Sequence, residues 1–217
     1  MDAADGADGG ARKPRRPTYL STSALDAIGT GFDPAAEAEA AHTTAAAIVD
    51  AGRGSGDPEL TARLVGLVED QGLSILADLW ADRPARSLPG ALWRLYVLRE
   101  GVRRDPVGSA RDYAEGQATA EVAHVVAGVA DPTGPQQVSA LADAVLTGVF
   151  TGDLAVALER AGAFCRVSST GRAHRAARLD PSEDQTATAL TRSAAALLTT
   201  AEDLEASARL WRAGDLT

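Results

Sequence analysis

Cysteine is nearly absent from this chain of 217 residues, with Cys165 standing alone. No internal disulfide can form, so the fold must rest on packing and hydrogen bonds, and a reducing cytoplasm is the expected compartment. Aromatic residues make up only 4%, too few for a platform on which single-stranded bases would stack. Lysine occurs once, at Lys13, and asparagine not at all. That arginine bias fits the codon usage of a GC-rich genome and is not in itself a sign of phosphate recognition. No run approaches 18 uninterrupted apolar residues, so no membrane span is expected. The opening MDAADGADGGARKPRRP lacks the apolar centre of a signal peptide. Sustained period-two alternation is missing too, and the AHVVAGV run is too short to argue for a strand. Finally, a net charge of -9 argues against a surface built as a whole for nucleic acid or anionic membrane.

What is present is an apolar share of 45%, mostly Ala, Leu and Val. That is enough for a sizeable core and suits close helix packing better than a deep cavity. The largest apolar side chains crowd into Ser87 to Pro106. Leu88, Ala91, Leu92, Leu95, Leu98 and Val102 recur at three- and four-residue steps along one helical face, with Trp93, Tyr96 and Val97 on the neighbouring face. A helix apolar over most of its girth is normally enclosed by others. The pattern therefore predicts a central helix over Leu88 to Arg104.

Asp-Pro punctuates the chain at Asp33-Pro34, Asp57-Pro58, Asp105-Pro106, Asp131-Pro132 and Asp180-Pro181. Asp is a strong N-cap, and Pro fits the first helical position because its missing N–H would have had no partner there. Together these signals predict helices over Pro34 to Ala51, Pro58 to Gln71, Leu73 to Ala81, Leu88 to Arg104 and Pro106 to Glu115. Further helices are expected over Thr119 to Val129, Pro135 to Phe150, Asp153 to Val167 and Pro181 to Ala213. Gly52, Gly72, Gly116 and Gly152 sit where C-caps are wanted. Tyr19 to Phe32 reads as a short helix and loop over the core. The last helix carries Leu190, Ala194, Leu197, Ala201, Leu204, Ala208 and Trp211 in alternating four- and three-residue steps, a heptad seam. It has two natural partners, the rest of its own domain or the same helix of a second subunit.

The expected fold is all-α: a multi-helix bundle of about seven or eight short helices with a long, heptad-patterned C-terminal helix. Its parts are a disordered tail over 1–18, a helical core over 19–168, a polar, basic linker over 169–181 and the long helix over 182–213. In the tail, Arg12, Lys13, Arg15 and Arg16 form a basic run that reads first as solubilising and second as a docking arm.

Several residue arrangements resemble sites. Glu-x-x-His occurs as Glu39 to His42 and as Glu121 to His124, each putting carboxylate and imidazole on one helical face. With Glu69 and Glu159 these would supply the donors of a carboxylate-bridged di-metal centre in a ferritin-like bundle. Their order along the chain differs from that of such bundles, and solvated or capped histidines are the plainer reading. FCRVSSTGR resembles a phosphatase loop around Cys165, but Gly171 stands where the arginine belongs and Arg172 follows it, so a buried core thiol is preferred. GRGSG, Gly52 to Gly56, lacks the strand and the Gly-Lys-Ser/Thr of a phosphate loop. A helix-turn-helix near Gly148 would offer acidic and apolar side chains to a groove that demands basic and amide ones. Two arginine clusters remain, Arg94, Arg99, Arg103, Arg104 and Arg111 and then Arg166, Arg172, Arg175 and Arg178. Both read as solvated and dipole-complementing charge before they read as an acidic-partner or phosphate site. His42, His124 and His174 stand in no recognisable catalytic constellation.

The function expected is that of a non-enzymatic helical interaction or regulatory protein. It would bind another macromolecule, with a homodimer through the C-terminal helix as one form, and would need no cofactor. Leu190, Leu197, Leu204, Trp211, Arg99, Arg103 and Arg104 are the expected contact residues. The di-metal oxidoreductase and an electrostatic nucleic-acid binder stand behind it as alternatives.

Overall fold

Four of the five Asp-Pro steps fall within residues 33–119 and 134–217, the part of the chain described by the computed structural model. At each of the four the aspartate Oδ1 accepts a backbone N–H of the turn it opens: Ala35 at 2.9 Å, Glu59 at 2.9 Å, Gly108 at 2.8 Å and Ser182 at 2.9 Å. The helices that result are α1 (Pro34–Ser55), α2 (Pro58–Val65), α3 (Leu67–Gln71), α4 (Leu73–Trp80) and α5 (Leu88–Arg104). They continue as α6 (Pro106–Thr119), α7 (Pro135–Thr151), α8 (Leu154–Ala177) and, after a 3-10 turn (Pro181–Glu183), α9 (Asp184–Ala213). The protein is all-α: the described residues hold helices and no strand. The expected tail with its basic run, the Tyr19 to Phe32 segment, Asp131-Pro132 and nearly all of the helix expected at Thr119 to Val129 lie outside the described residues.

Residues 38–217 pack as one unit. Its hub is α8, which rests against α6, α7 and α9 and touches α5. This corrects the expectation of a bundle centred on α5. Thirteen residues of α8 are buried against nine of α5, and several of the thirteen are Gly, Ala and Ser, which carry little hydropathy but let a neighbouring backbone come close. The same fact corrects the expected linker over 169–181. Ser168, Ser169, Gly171 and Ala176 are buried on α8, so the helix runs on to Ala177 through a stretch that looks polar only because small residues pack by shape.

Two expected caps have other duties. Gly52 lies inside α1 against Phe150, where a Cβ would come within 2.7 Å of the ring. Gly116 lies inside α6, where a Cβ would overlap the Val167 carbonyl oxygen. Gly72 and Gly152 do close helices. Pro58 to Gln71, expected as one helix, is broken at Gly66 into α2 and α3.

The heptad seam of α9 packs within its own chain. Ala194, Ala201, Leu204 and Ala208 are buried, whereas Leu190, Leu197 and Trp211 are partly covered. The two long helices α8 and α9 approach closely: Gly162 faces the Ala201 carbonyl, and the Ser169 hydroxyl donates to the Ala194 carbonyl at 2.7 Å. Arg166 forks onto Glu205 at 2.8 and 2.9 Å along the same contact.

Candidate binding cleft and the charge network around it

Helix α5 has one locked flank and one open flank. On the locked flank the Tyr96 hydroxyl, fully buried, donates to the Leu64 carbonyl at 2.6 Å. One turn on, Arg99 is 4% exposed and reaches Asp143 at 2.6 Å and Glu69 at 2.9 Å. Burial works against the guanidinium's charge, but the two carboxylates more than offset it and keep Arg99 firmly protonated. The Arg99 hydrogen bond in turn holds Glu69 below the usual carboxylate range. This buried clamp ties α5 to α3 and α7, so Arg99 is no surface anchor for a partner as the sequence suggested. Arg103 also reaches Glu69, at 3.0 Å, and Arg104 pairs with Glu100 at 2.7 Å.

On the open flank Trp93 is only partly covered and Val97 is 40% exposed. Here a cleft of about 430 Å3 opens between α5, α8 and α9. Val97, Leu98 and Val102 form one wall and Leu197 and Thr200 the other, with Phe164 and Ser168 as floor. Arg94, Asp105 and Arg172 stand along it. Arg94 faces Asp203 at 3.6 Å, and Arg172 reaches Asp112 at 2.7 Å and the Ser193 hydroxyl at 2.6 Å. Ser168 is 3% exposed, and its hydroxyl has no hydrogen-bond partner. A helical serine ordinarily donates to the carbonyl one turn back; this one is left with an unmet donor beside the cleft.

Comparison with protein-family models, curated proteins and solved structures finds no match.

The metal donors proposed from sequence do not assemble among the described residues. Glu39 is exposed on α1, and His42, three residues on along the same face, is partly covered with a buried Nδ1 that lacks a partner. Glu69 is spent on Arg99 and Arg103. Glu159 is held by Arg212 at 2.7 Å, which keeps its carboxyl below the usual range. Glu121 and His124 lie outside the described residues. No group of three or more His, Cys, Asp or Glu side chains among the described residues is placed to share a metal. Cys165 is fully buried, and burial pushes its thiol up to about 12. Thiolate attack of the phosphatase kind is closed to it.

Sequence reading also missed a buried polar contact. Asp112 on α6 is 1% exposed and lies between Arg172 and Arg175 of α8, bonded to both. One turn further along, Glu115 takes His174 at 3.0 Å and Arg178 at 2.9 Å, and the His174 hydrogen bond lowers its carboxyl. Two glycines let the helices meet this closely. A Cβ on Gly171 would overlap the Asp112 carbonyl and lie 2.6 Å from the Gly116 nitrogen, just as one on Gly116 would strike Val167. The signal was present as two widely separated Gly-bearing helices with complementary charge, but only their pairing in space gives it meaning.

Proposed function

We propose that this protein is a non-enzymatic interaction module whose cleft between α5 and α9 takes an amphipathic helical segment of a partner protein. The observation that carries this reading is Val97, 40% exposed in the middle of an otherwise covered apolar helix and lining the cleft. Leu198, 38% exposed on α9, adds to the apolar surface of that helix. Along α5 the cleft extends from Trp93 to Asp105, about twelve residues or roughly 18 Å at the helical rise. That length accommodates about three turns of a partner helix, anchored by apolar residues at i and i+4. Arg94, Asp105 and Arg172 supply charges along it that would fix the direction of the bound segment.

Binding is favoured over turnover because the polar groups here already serve the fold. Arg94 and Arg172 are paired in the chain, and the Ser168 hydroxyl has no base beside it to activate it. The described helices include none long and apolar enough to cross a membrane, and a cytoplasmic setting belongs to the same proposal. A homodimer through the whole α9 seam would require α9 to leave α8, since Ala201, Leu204 and Ala208 are fully buried there. A second copy entering the cleft is the simpler homotypic form.

The test is to pan a displayed library of amphipathic helical peptides against the full chain. Enrichment of peptides with i, i+4 apolar anchors, whose binding is lost in Val97→Glu, is the expected result. No enrichment, or equal binding to Val97→Glu, would sink the proposal. Sedimentation of the unliganded protein identifies the occupant: a dimer that Val97→Glu converts to monomer would replace the partner helix with a second copy.

A further inference from the structure

Sequence alone separates Arg111 from Arg175 and Arg178 by more than sixty residues, yet α6 and the end of α8 bring all three to one cavity. It measures about 230 Å3 and is completed by Leu179 and by Thr186 and Leu190 of α9. We infer that this cavity binds an organic phosphate, a phosphomonoester whose dianion is held by Arg111, Arg175 and Arg178 and whose carbon body lies against Leu179 and Leu190. This site is separate from the α5–α9 cleft and goes beyond the reading of that cleft.

Charge arithmetic supports it. Of the three arginines lining the cavity, Arg175 pairs with Asp112 and Arg178 with Glu115, so one positive charge, that of Arg111, is left over. Asp112 is sealed between the helices and does not line the cavity; it holds Arg175 from behind, as Glu115 holds Arg178. Guanidiniums fixed in this way lose little freedom when they fork onto phosphate oxygens. Arg111 is exposed and makes no ion pair among the described residues. Asp180, Glu183 and Asp184 are the nearby acids in sequence. None of them lines the cavity, and Asp180 is engaged with the Ser182 backbone N–H. Because the whole chain carries a net charge of -9, diffuse attraction cannot account for anion binding, and a saturable response must be local.

The experiment is a calorimetric or NMR titration of the full chain at low ionic strength with phenyl phosphate, and separately with inorganic phosphate. Saturable one-to-one binding of phenyl phosphate is expected, tighter than that of inorganic phosphate. It should weaken at least tenfold in Arg111→Gln/Arg178→Gln, both exposed positions that leave the buried Asp112 contact intact, and stay unchanged in Arg104→Gln. Absence of saturable binding, equal binding to the double variant, or an equal loss in Arg104→Gln would overturn the site. Inorganic phosphate binding as tightly as phenyl phosphate would overturn the organic class.

Discussion

Helix α8 meets its neighbours in two opposite ways. Against α6 it presents Gly171, and α6 answers with Gly116, so the backbones touch and the Asp112 carboxylate is trapped with two arginines at the crossing. Toward α5 and α9 it presents Phe164 and Ser168 to a gap that the chain leaves open. The first contact is closed around a buried ionic group, with Tyr113 stacked on Phe164 beside it; the second is open. The lesson is that hydropathy does not tell where a helix is buried. Glycine lets oppositely charged helices close completely, while α5, apolar over most of its girth, still leaves Val97 exposed at the gap.

The substitutions that break this contrast fall in a clear order. Gly171→Val should abolish the closed contact, because its new atoms would meet backbone that cannot turn aside. The expected outcome is loss of a cooperative unfolding transition by circular dichroism, where ordinary overpacking would cost about 1–3 kcal/mol. Asp112→Ala leaves Arg172 and Arg175 partly buried without their shared counter-charge. Removing one member of a buried ionic group costs about 3–5 kcal/mol, and a chemical denaturation curve should show a drop of that order. A drop below about 1 kcal/mol would mean that water reaches the two arginines freely.

Acid should loosen the locked flank of α5 next. Glu69 is held below its ordinary range by Arg99 in the folded state, so the stability from this pair is present above the ordinary carboxylate range. It is lost as pH falls through the lowered value. Melting temperature measured against pH should therefore fall less steeply on the acid side in Glu69→Gln than in the parent, with the two curves converging at low pH. The smallest effect on stability belongs to the open region. Val97→Glu adds a charge at an already exposed position and should change unfolding free energy by no more than about 0.5 kcal/mol while removing peptide binding.

Much of the architecture was readable from local chemistry. Asp57 and Asp105 announced their helices because the cap and the proline act within one turn, and Leu88 to Arg104 was legible because its apolar steps repeat over many turns. Where helices pair was not legible. Ser168, Ser169 and Gly171 look like linker residues until the Asp112 carbonyl and the Ala194 carbonyl stand beside them. Arg99 looked like surface charge because Glu69 and Asp143 come from other helices. The cleft was half legible: the pattern of α5 called for cover on the Trp93 and Val97 side, and the structure covers Trp93 in part and leaves Val97 exposed. The seam of α9 was visible as a heptad, but a heptad does not say whose helix answers it. Here α8 does, which makes Leu204→Glu a folding defect and leaves Leu197, partly covered at the cleft, as the position where a charge would probe binding.

Cys165 turns from a spectator into a clock. The sole sulfur in reach of a maleimide is sealed in the middle of α8, so labelling must wait for the bundle to breathe. Its alkylation rate would time that breathing in the unaltered chain, and a filled α5–α9 gap should slow the tick.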